Sequence, residues 1–488
     1  MLLVALLLLP LAAAVPALVA PRYHPSIAAT SAAASGAAFL AALGLARANL
    51  RGGVPSIGPE EFLRADGLSA VLALVVSGVA CVSLWFGAGY LERVRDHGGL
   101  DDARLRRFYV LTNLFVATML LAVTANNVGV MWVAVEGTTI ATAFLIGLEH
   151  SKAALEASWK YILIGSIGIA LAFVGTVLGY FDFVQRVGEA PHALHWTVLA
   201  RASPGLNGDV LRLAFVFILV GYGTKAGLAP MHTWLPDAHS EAPAPISAMM
   251  SGSLLVVALY AVARWKVVVD AGVGPGYAGR MLILFGLASL VLAAVLLIRQ
   301  SSYKRMLAYS SVEHIGLMCL GLGLGPLGTL AALLHMIGHA ASKSLAFLAS
   351  GNLLEAYGSP RIASVRGVLG VLPWTGALFL VAALALLGLP PFGLFVSEVM
   401  LVRAGFLAGR PWLMGAVLAL LVAIFLSFLG HLHRMLFGIP PADVRPGERR
   451  PFGLLPLGFN VAVLLALGLV VPEPLLRLLR LAAGVLRP

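Results

Sequence analysis

The stretch LAFVFILVGYGTKAGLAPMHTWLPDAHSEAPAPISAMMSGSLLVVALY, Leu213 to Tyr260, is an apolar run, a lysine, four prolines and a second apolar run. A helix needs about 20 mainly apolar residues to cross the hydrocarbon layer, and each flank of this stretch approaches that length. Lys225 sits where the first run ends, and Pro230, Pro236, Pro243 and Pro245 follow. Proline inside a span frees backbone carbonyls, which lipid cannot satisfy but protein or water can. The stretch therefore reads as a membrane helix broken beside a buried charge. The second half of the chain repeats the device, with Gly388, Pro390, Pro391 and Gly393 ahead of Glu398. Broken helices at corresponding places in two halves of a membrane protein mark an ion site.

Composition agrees. Of 488 residues, 60% are hydrophobic and 11% charged, far from the balance that a water-exposed surface needs. A soluble enzyme, a nucleic-acid binder and a disordered chain are excluded. The net charge of +11 comes from basic residues placed singly between apolar runs, as in loops beside membrane spans. Cys81 and Cys319 stand alone in apolar stretches, so neither a disulfide framework nor a cysteine-rich cluster site is available, and no iron–sulfur centre, structural zinc or other metal site is expected in this chain. MLLVALLLLPLAAAVPALVA, at the start, lacks the basic region of a signal peptide and reads as a retained helix.

Fourteen candidate spans follow, near 1–20, 26–47, 68–91, 107–125, 127–148, 158–180, 209–229, 243–263, 281–298, 307–325, 327–354, 371–397, 411–437 and 453–471. The fold class is an all-α integral membrane protein. With the N-terminus outside, inner loops hold Arg93, Arg95, Arg104, Arg106, Arg107, Arg299, Lys304, Arg305, Arg434, Arg445, Arg449 and Arg450. Outer loops hold fewer, including Arg47, Arg51, Arg64, Arg264, Lys266 and Arg280. The C-terminal PEPLLRLLRLAAGVLRP, with Arg477 and Arg480 against a leucine face, reads as a short interfacial helix.

An ionisable residue inside a span costs at least about 2.5–3.5 kcal/mol, so each asks for a reason. Glu136, Lys225 and Glu398 are such residues, as are Glu313 and His314 in AYSSVEHIGLM. His335, His339 and Lys343 share one span at spacing i, i+4, i+8, which places them within about 80° of one another along about 12 Å of helix. Such a stripe can pass protons once other helices bury it. The bland reading is that the histidines bond carbonyls and Lys343 snorkels to a membrane face. A metalloprotease reading of HMIGH fails, because Met336 stands where the catalytic Glu would be. His232, Asp237 and His239 in HTWLPDAH could hold a metal, but Pro236 makes a turn or helix end the better reading.

At these segments the sequence resembles the antiporter-like subunits of respiratory complex I, Mrp antiporters and membrane-bound hydrogenases. The matching stretches are GTKAGLAPMHTWLPDAHSEAPAPISA from Gly223, YKRMLAYSSVEHIG from Tyr303, HMIGHAASKSLAFLASGN from His335 and DGLSA from Asp66. SVEHIG and FVSE are most similar to the F-component group of hydrogenase-4. The resemblance implies two inverted five-helix repeats, residues 107–266 and 267–437, after N-terminal helices in 1–106. Residues 438–488 then supply helix 14 and the terminal helix. It further implies a hydrated axis through Glu136, Lys225, His335, His339, Lys343 and Glu398; Glu313, His314, Lys304, His232, Asp237 and Ser251 are candidate accessory groups read from the residues themselves. One departure is that SGSLLVVALY offers Ser251 and Ser253 where family members often carry Lys or His. Water, the serines or Glu313 and His314 are then needed to complete the path.

The expected activity is proton translocation in the inner (plasma) membrane. Glu136 and Lys225 form a coupled pair, and released protons pass through His335, His339 and Lys343 to Glu398. The chain carries no flavin, haem or cluster motif, so nickel–iron and iron–sulfur centres are expected in partner subunits. Those partners are other membrane subunits and a hydrogenase-like or quinone-reductase-like arm, with lipid around them. Alternatives are an Mrp-type Na⁺/H⁺ antiporter or ion-coupled carbon-uptake subunit, and a membrane scaffold with an inactive channel.

Overall fold

A computed structural model describes residues 1–96, 98–190, 192–448 and 451–487. Arg449 and Arg450, expected in an inner loop, lie outside the described residues. The helices that precede the first break are α1 (Leu2–Val19), α2 (Pro25–Leu50), α3 (Gly67–Asp96), α4 (Asp102–Thr124), α5 (Val128–Ile146), α6 (Lys152–Val187), the short α7 (Trp196–Ala202) and α8 (Gly208–Ala226). Polar caps start several of them: Asp101, Asn127, Ser151 and Asn207 each accept from an amide of the first turn.

After α8 the chain turns left-handed at Gly227 (φ +77°), runs through Pro230 and forms α9 (Trp234–Glu241) and α10 (Ala244–Met249). A buried π-helical turn, Met250–Leu254, joins α10 to α11 (Leu255–Val273). The second half comprises α12 (Tyr277–Leu297), α13 (Tyr303–Gly323), α14 (Gly325–Tyr357), the single turn α15 (Val368–Val371), α16 (Pro373–Leu386), α17 (Gly393–Leu407) and α18 (Pro411–Leu436). The second break, between α16 and α17, again holds a left-handed glycine, Gly388 (φ +63°). An L side chain is strained at such φ values, which is why glycine occupies both breaks. Beyond α18 come α19 (Leu455–Leu469) and, at 79° to it, α20 (Glu473–Val485). The leucine face of α20 packs on α2, α3 and α14, burying Leu478, Leu479, Ala482 and Ala483.

Each of the fourteen sequence segments falls on one of these helices or on a broken pair. By length and hydropathy alone, nine helices among the described residues could cross a membrane. α8, α13 and α14 are absent from those nine, and they carry Lys225, Glu313, His314, His335, His339 and Lys343. Polar residues that serve an interior lower the apparent hydropathy of the helices that hold them. Around the outside, Trp85, Phe144, Trp159, Ile167 and Trp412 are exposed, as lipid-facing residues should be.

Small residues bring two helix pairs into backbone contact. Between α6 and α8, a Cβ on Gly175 would stand 2.7 Å from the Ala214 carbonyl oxygen, and one on Gly221 2.6 Å from that of Gly168. Between α12 and α13, a Cβ on Gly286 would stand 2.7 Å from the Gly316 oxygen. Interhelical packing by glycine is the membrane solution where no hydrophobic force drives helices together. α14 lies between α13, α16, α17, α10, α19 and α3, which buries its polar stripe.

Arg264 corrects the loop assignment made from sequence. It lies inside α11, 4% exposed, donating to Asp66 Oδ1 at 2.8 Å and to Ser69 Oγ at 3.0 Å. Its guanidinium also faces the rings of Trp196 and Tyr260. Charge count placed it in water; pairing with Asp66, nearly 200 residues earlier, lets it sit in the protein.

Candidate functional site

Lys225 closes α8 in its last turn, where the carbonyl end of the helix favours a cation. It is completely buried, and its Nζ donates to Thr139 Oγ1 at 2.7 Å and Tyr161 Oη at 2.5 Å, with the Tyr161 ring beneath it. Thr139 in turn donates to Glu136 Oε2 at 2.9 Å, and Ser166 donates to Glu136 Oε1 at 3.0 Å. Glu136 and Lys225 are thus linked through the Thr139 hydroxyl. Tyr161 Oη lies 2.6 Å from Thr142 Oγ1, which donates to the Thr138 carbonyl, so the tyrosine hydroxyl is the donor in that pair. Thr139, Tyr161, Thr142 and Ser166 do not stand out in the sequence. The signal available is the TT-AT spacing one turn after Glu136, which is common in apolar helices and marks nothing alone.

The break after Lys225 is satisfied by protein. Trp234 Nε1 donates to the Thr224 carbonyl at 2.8 Å, and the Ala229 amide donates to Ser289 Oγ at 3.0 Å. Lys304 Nζ donates to the carbonyls of Ser240 and Ala242, at 2.7 and 3.1 Å, where α9 ends. Lys304, expected in a loop, is therefore a buried prop of the broken helix. Asp237 lies outside the central cluster, paired with Lys160 at 3.1 Å and with Arg305. His232 is buried beside Tyr309, and His239 stacks on Phe347. Asp237 is thus tied to surface cations while His239 lies in the core, so HTWLPDAH supplies no shared metal site.

In the centre, His335, His339 and Lys343 line one face of α14 and all are buried, which removes the snorkelling alternative for Lys343. Lys343 Nζ donates to the Leu307 carbonyl at 2.8 Å and to Ser310 Oγ, and it acts electrostatically on the buried Glu313. His339 Nε2 lies 3.2 Å from the Ser251 carbonyl, while Ser251 Oγ meets Ser311 Oγ at 2.7 Å. The His314 ring lies 5.2 Å from His339 and 5.1 Å from His335, centroid to centroid.

Hydrogen bonding orients that pair. Ser397 donates to the Leu394 carbonyl at 2.8 Å, so its oxygen accepts from His335 Nδ1 at 2.9 Å. His335 Nε2 is left to accept from His314 Nδ1, also at 2.9 Å. Glu398 completes this end: one ligand-type atom each from His314, His335 and Glu398 lie within 4.8 Å of one another. Its carboxylate fills the space that a Cβ on Gly388 would take, so the second break is shaped around the acid. The order in space is therefore Lys343, His339, His314, His335, Glu398, with His314 as a central member.

Ser251 and Ser253, which stand where a lysine or histidine is common in the resembling family, both lie in the π-helical turn ahead of α11. Ser253 bonds the Met249 carbonyl; Ser251 serves His339 and Ser311. His239 is a further titratable group near the Lys343 end. It is fully buried, both ring nitrogens lack a protein partner, and Lys343 and Lys304 are the charges that act on it. His339 Nδ1 is likewise buried without a hydrogen-bond partner. In the sequence His239 stands out only as a weak metal ligand.

Thr139 is testable as the link. Thr139→Val keeps the shape but removes the hydroxyl that joins the ammonium to the carboxylate. A hydrogen bond to a charged group contributes about 1.5–3 kcal/mol. Proton translocation in proteoliposomes should fall about tenfold or more at unchanged protein level, and an unchanged rate would refute the link.

A predominantly helical membrane chain with buried lysines and histidines set between half-buried carboxylates, beside two broken helices, belongs with the ion-translocating membrane subunits. The sequence profile described as NADH:quinone oxidoreductase/Mrp antiporter, TM, matches residues 125–425, and this chain is a member of that family. A hydrogenase-4 component F homolog from Methylacidiphilum infernorum (isolate V4) is 36% identical over 416 residues, 85% of this chain and 86% of that protein. Hydrogenase-4 component B of Escherichia coli (strain K12) is 31% identical over 362 residues, 70% of this chain but 51% of that longer protein. In three dimensions the chain is similar to a chain of the membrane-bound sulfane sulfur reductase, an archaeal respiratory membrane complex. The TM-score is 0.85 at 25% identity, covering 99% of this chain and 98% of the other. Similar chains also occur in an Mrp complex from Dietzia sp. DQ12-45-1b, at 22% identity and a TM-score of 0.86, and in respiratory complex I from Thermus thermophilus, at 26% and 0.77.

Proposed function

We propose that this chain translocates protons as a subunit of a redox-driven complex of the hydrogenase-4 or NADH-quinone oxidoreductase kind, in the plasma membrane. The observation that carries the reading is the succession from half-buried Glu136 through Thr139 to buried Lys225, and from buried Lys343 through His339, His314 and His335 to half-buried Glu398. His239 and the Ser251–Ser311 pair, both close to the Lys343 and His339 end, would continue the path toward Lys225.

A carboxylate held near a buried ammonium favours its charged form, and withdrawing it favours proton release. Glu136 touches Lys225 only through a hydroxyl, so a small movement of α5 against α8 makes or breaks the connection. The released proton then moves through the central imidazoles, which relay by accepting at one nitrogen and donating at the other. Electron transfer belongs to partner subunits that hold nickel–iron and iron–sulfur centres, in a peripheral hydrogenase-like or quinone-reductase-like arm.

The test is purification of the chain from its native membrane in mild detergent, followed by mass spectrometry of what accompanies it. Hydrogenase or quinone-reductase subunits are expected. A set of small membrane proteins with no redox subunit would replace this reading with a secondary Na⁺/H⁺ antiporter.

A further inference from the structure

Away from the central axis, two loops bring a second group of ligand atoms together. Glu60 lies between the paired strands β1 (Ser56–Ile57) and β2 (Leu63–Arg64), and His192 and His195 lie in the connection from α6 to α7. One ligand atom from each falls within 4.8 Å of the other two, and His192 Nε2 is 3.9 Å from Glu60 Oε1.

The loops do not meet by accident. Both are stitched to the turn between α4 and α5: the Asn126 amide donates to the Phe62 carbonyl at 3.0 Å, and the Val128 amide to that of Leu194 at 2.9 Å. The Trp196 amide donates to the Asn126 carbonyl at 2.6 Å, and Asn126 Nδ2 donates to Thr197 Oγ1 at 3.0 Å. His195 is 1% exposed, and its Nδ1 is buried without a hydrogen-bond partner. Glu60 and His192 are partly exposed, so the group opens to solvent on one side. Both hold left-handed backbone, φ +45° and +66°, and Glu61 is at +62°. Such conformations are uncommon for residues other than glycine and persist where surrounding structure fixes them.

We propose that Glu60, His192 and His195 form a binding site for a divalent transition-metal ion of the zinc class, separate from the translocation path. Two imidazoles and one carboxylate, with a solvent-facing side for water, make the donor set that zinc takes in open sites. At Zn–ligand bonds of about 2.1 Å, tetrahedral ligand atoms stand about 3.4 Å apart, so modest side-chain rotation closes the present group onto an ion. The metal staples the β1–β2 loop to the α6–α7 connection across the α4–α5 turn. Asn127 in that turn caps α5, the helix that carries Glu136, so metal occupancy bears on the setting of the acid partner.

The full-length chain in detergent, stripped with a chelator and then loaded with Zn²⁺ alone, tests the proposal. About one zinc per chain is expected to survive gel filtration. Both partly exposed ligands can be changed without opening the core, so His192→Ala and Glu60→Gln are the variants to use. Each should weaken zinc binding about tenfold or more while eluting as the wild type does. Cobalt(II) loaded in place of zinc should give intense visible absorption from a site of low coordination number, lost in His192→Ala. Zinc retained equally by both variants, or no zinc held by the wild type, would overturn the site.

Discussion

Lys225→Ala should abolish proton translocation, by about a hundredfold or more if the ammonium acts as an obligatory acid and base in the transfer. The more informative variant is Lys225→Arg. Arginine keeps the positive charge at the end of α8 and can donate to Thr139 and Tyr161, but it does not give up its proton in proteins. A lysine that only holds the broken helix together would be replaced by arginine with little loss. A lysine that loads and releases a proton would not. Both variants are therefore expected to reach the membrane and assemble at wild-type levels, and both to show no proton uptake in proteoliposomes. Uptake by Lys225→Arg at the wild-type rate would assign the residue a structural role and end the relay. Glu398→Gln provides the matching control at the far end of the line, where the acid packs against Gly388.

The second large effect concerns stability. Arg264 and Asp66 form a pair with side chains 5% and 4% exposed, linking α11 to the start of α3. Removing one partner of a buried ion pair strands the other in low dielectric, at a cost of about 3–5 kcal/mol. Arg264→Ala should therefore unfold at a markedly lower temperature in detergent, with loss of yield from the membrane. Replacing both together, Asp66→Asn with Arg264→Met, should recover a substantial part, because no unpaired charge remains. Burial works against the Asp66 carboxylate, yet the Arg264 guanidinium and the Ser69 amide outweigh it and hold the group below the usual carboxylate range. A depressed carboxyl contributes stability in full above its unfolded value near 4 and loses it as pH falls further. Arg264→Ala should thus narrow the gap between melting temperatures at pH 6 and pH 3. Identical melting of wild type and Arg264→Ala at pH 6 would show that the pair contributes nothing.

Much of this architecture could be read from residue order. Long apolar runs located the helices, and prolines beside Lys225 and Glu398 located both breaks, because lipid permits irregular backbone only under strict conditions. The stripe of His335, His339 and Lys343 was visible because helical periodicity is local. What could not be read was anything set by packing between distant helices. Thr139 and Tyr161 are ordinary until α5 and α6 bring them to Lys225. His314 looked accessory because its neighbour in space, His335, is on another helix. Arg264 counted as a loop charge because Asp66, its partner, is remote in sequence. His239 lies among prolines that signalled a turn, and its burial against Phe347 depends on α14.

The glycine contacts between α6 and α8, and between α12 and α13, have a mechanical meaning. Where one backbone rests on another, sliding by a single residue, about 1.5 Å, drives Cβ atoms into carbonyl oxygens. These two pairs are stiff struts. A stroke delivered by a neighbouring subunit meets interrupted helical hydrogen bonding at the π-helical turn, Met250–Leu254, and at the two breaks. Lys225 and Glu398 flank the two breaks, so a force carried through the stiff pairs meets the least regular helix structure at the residues that bear charge.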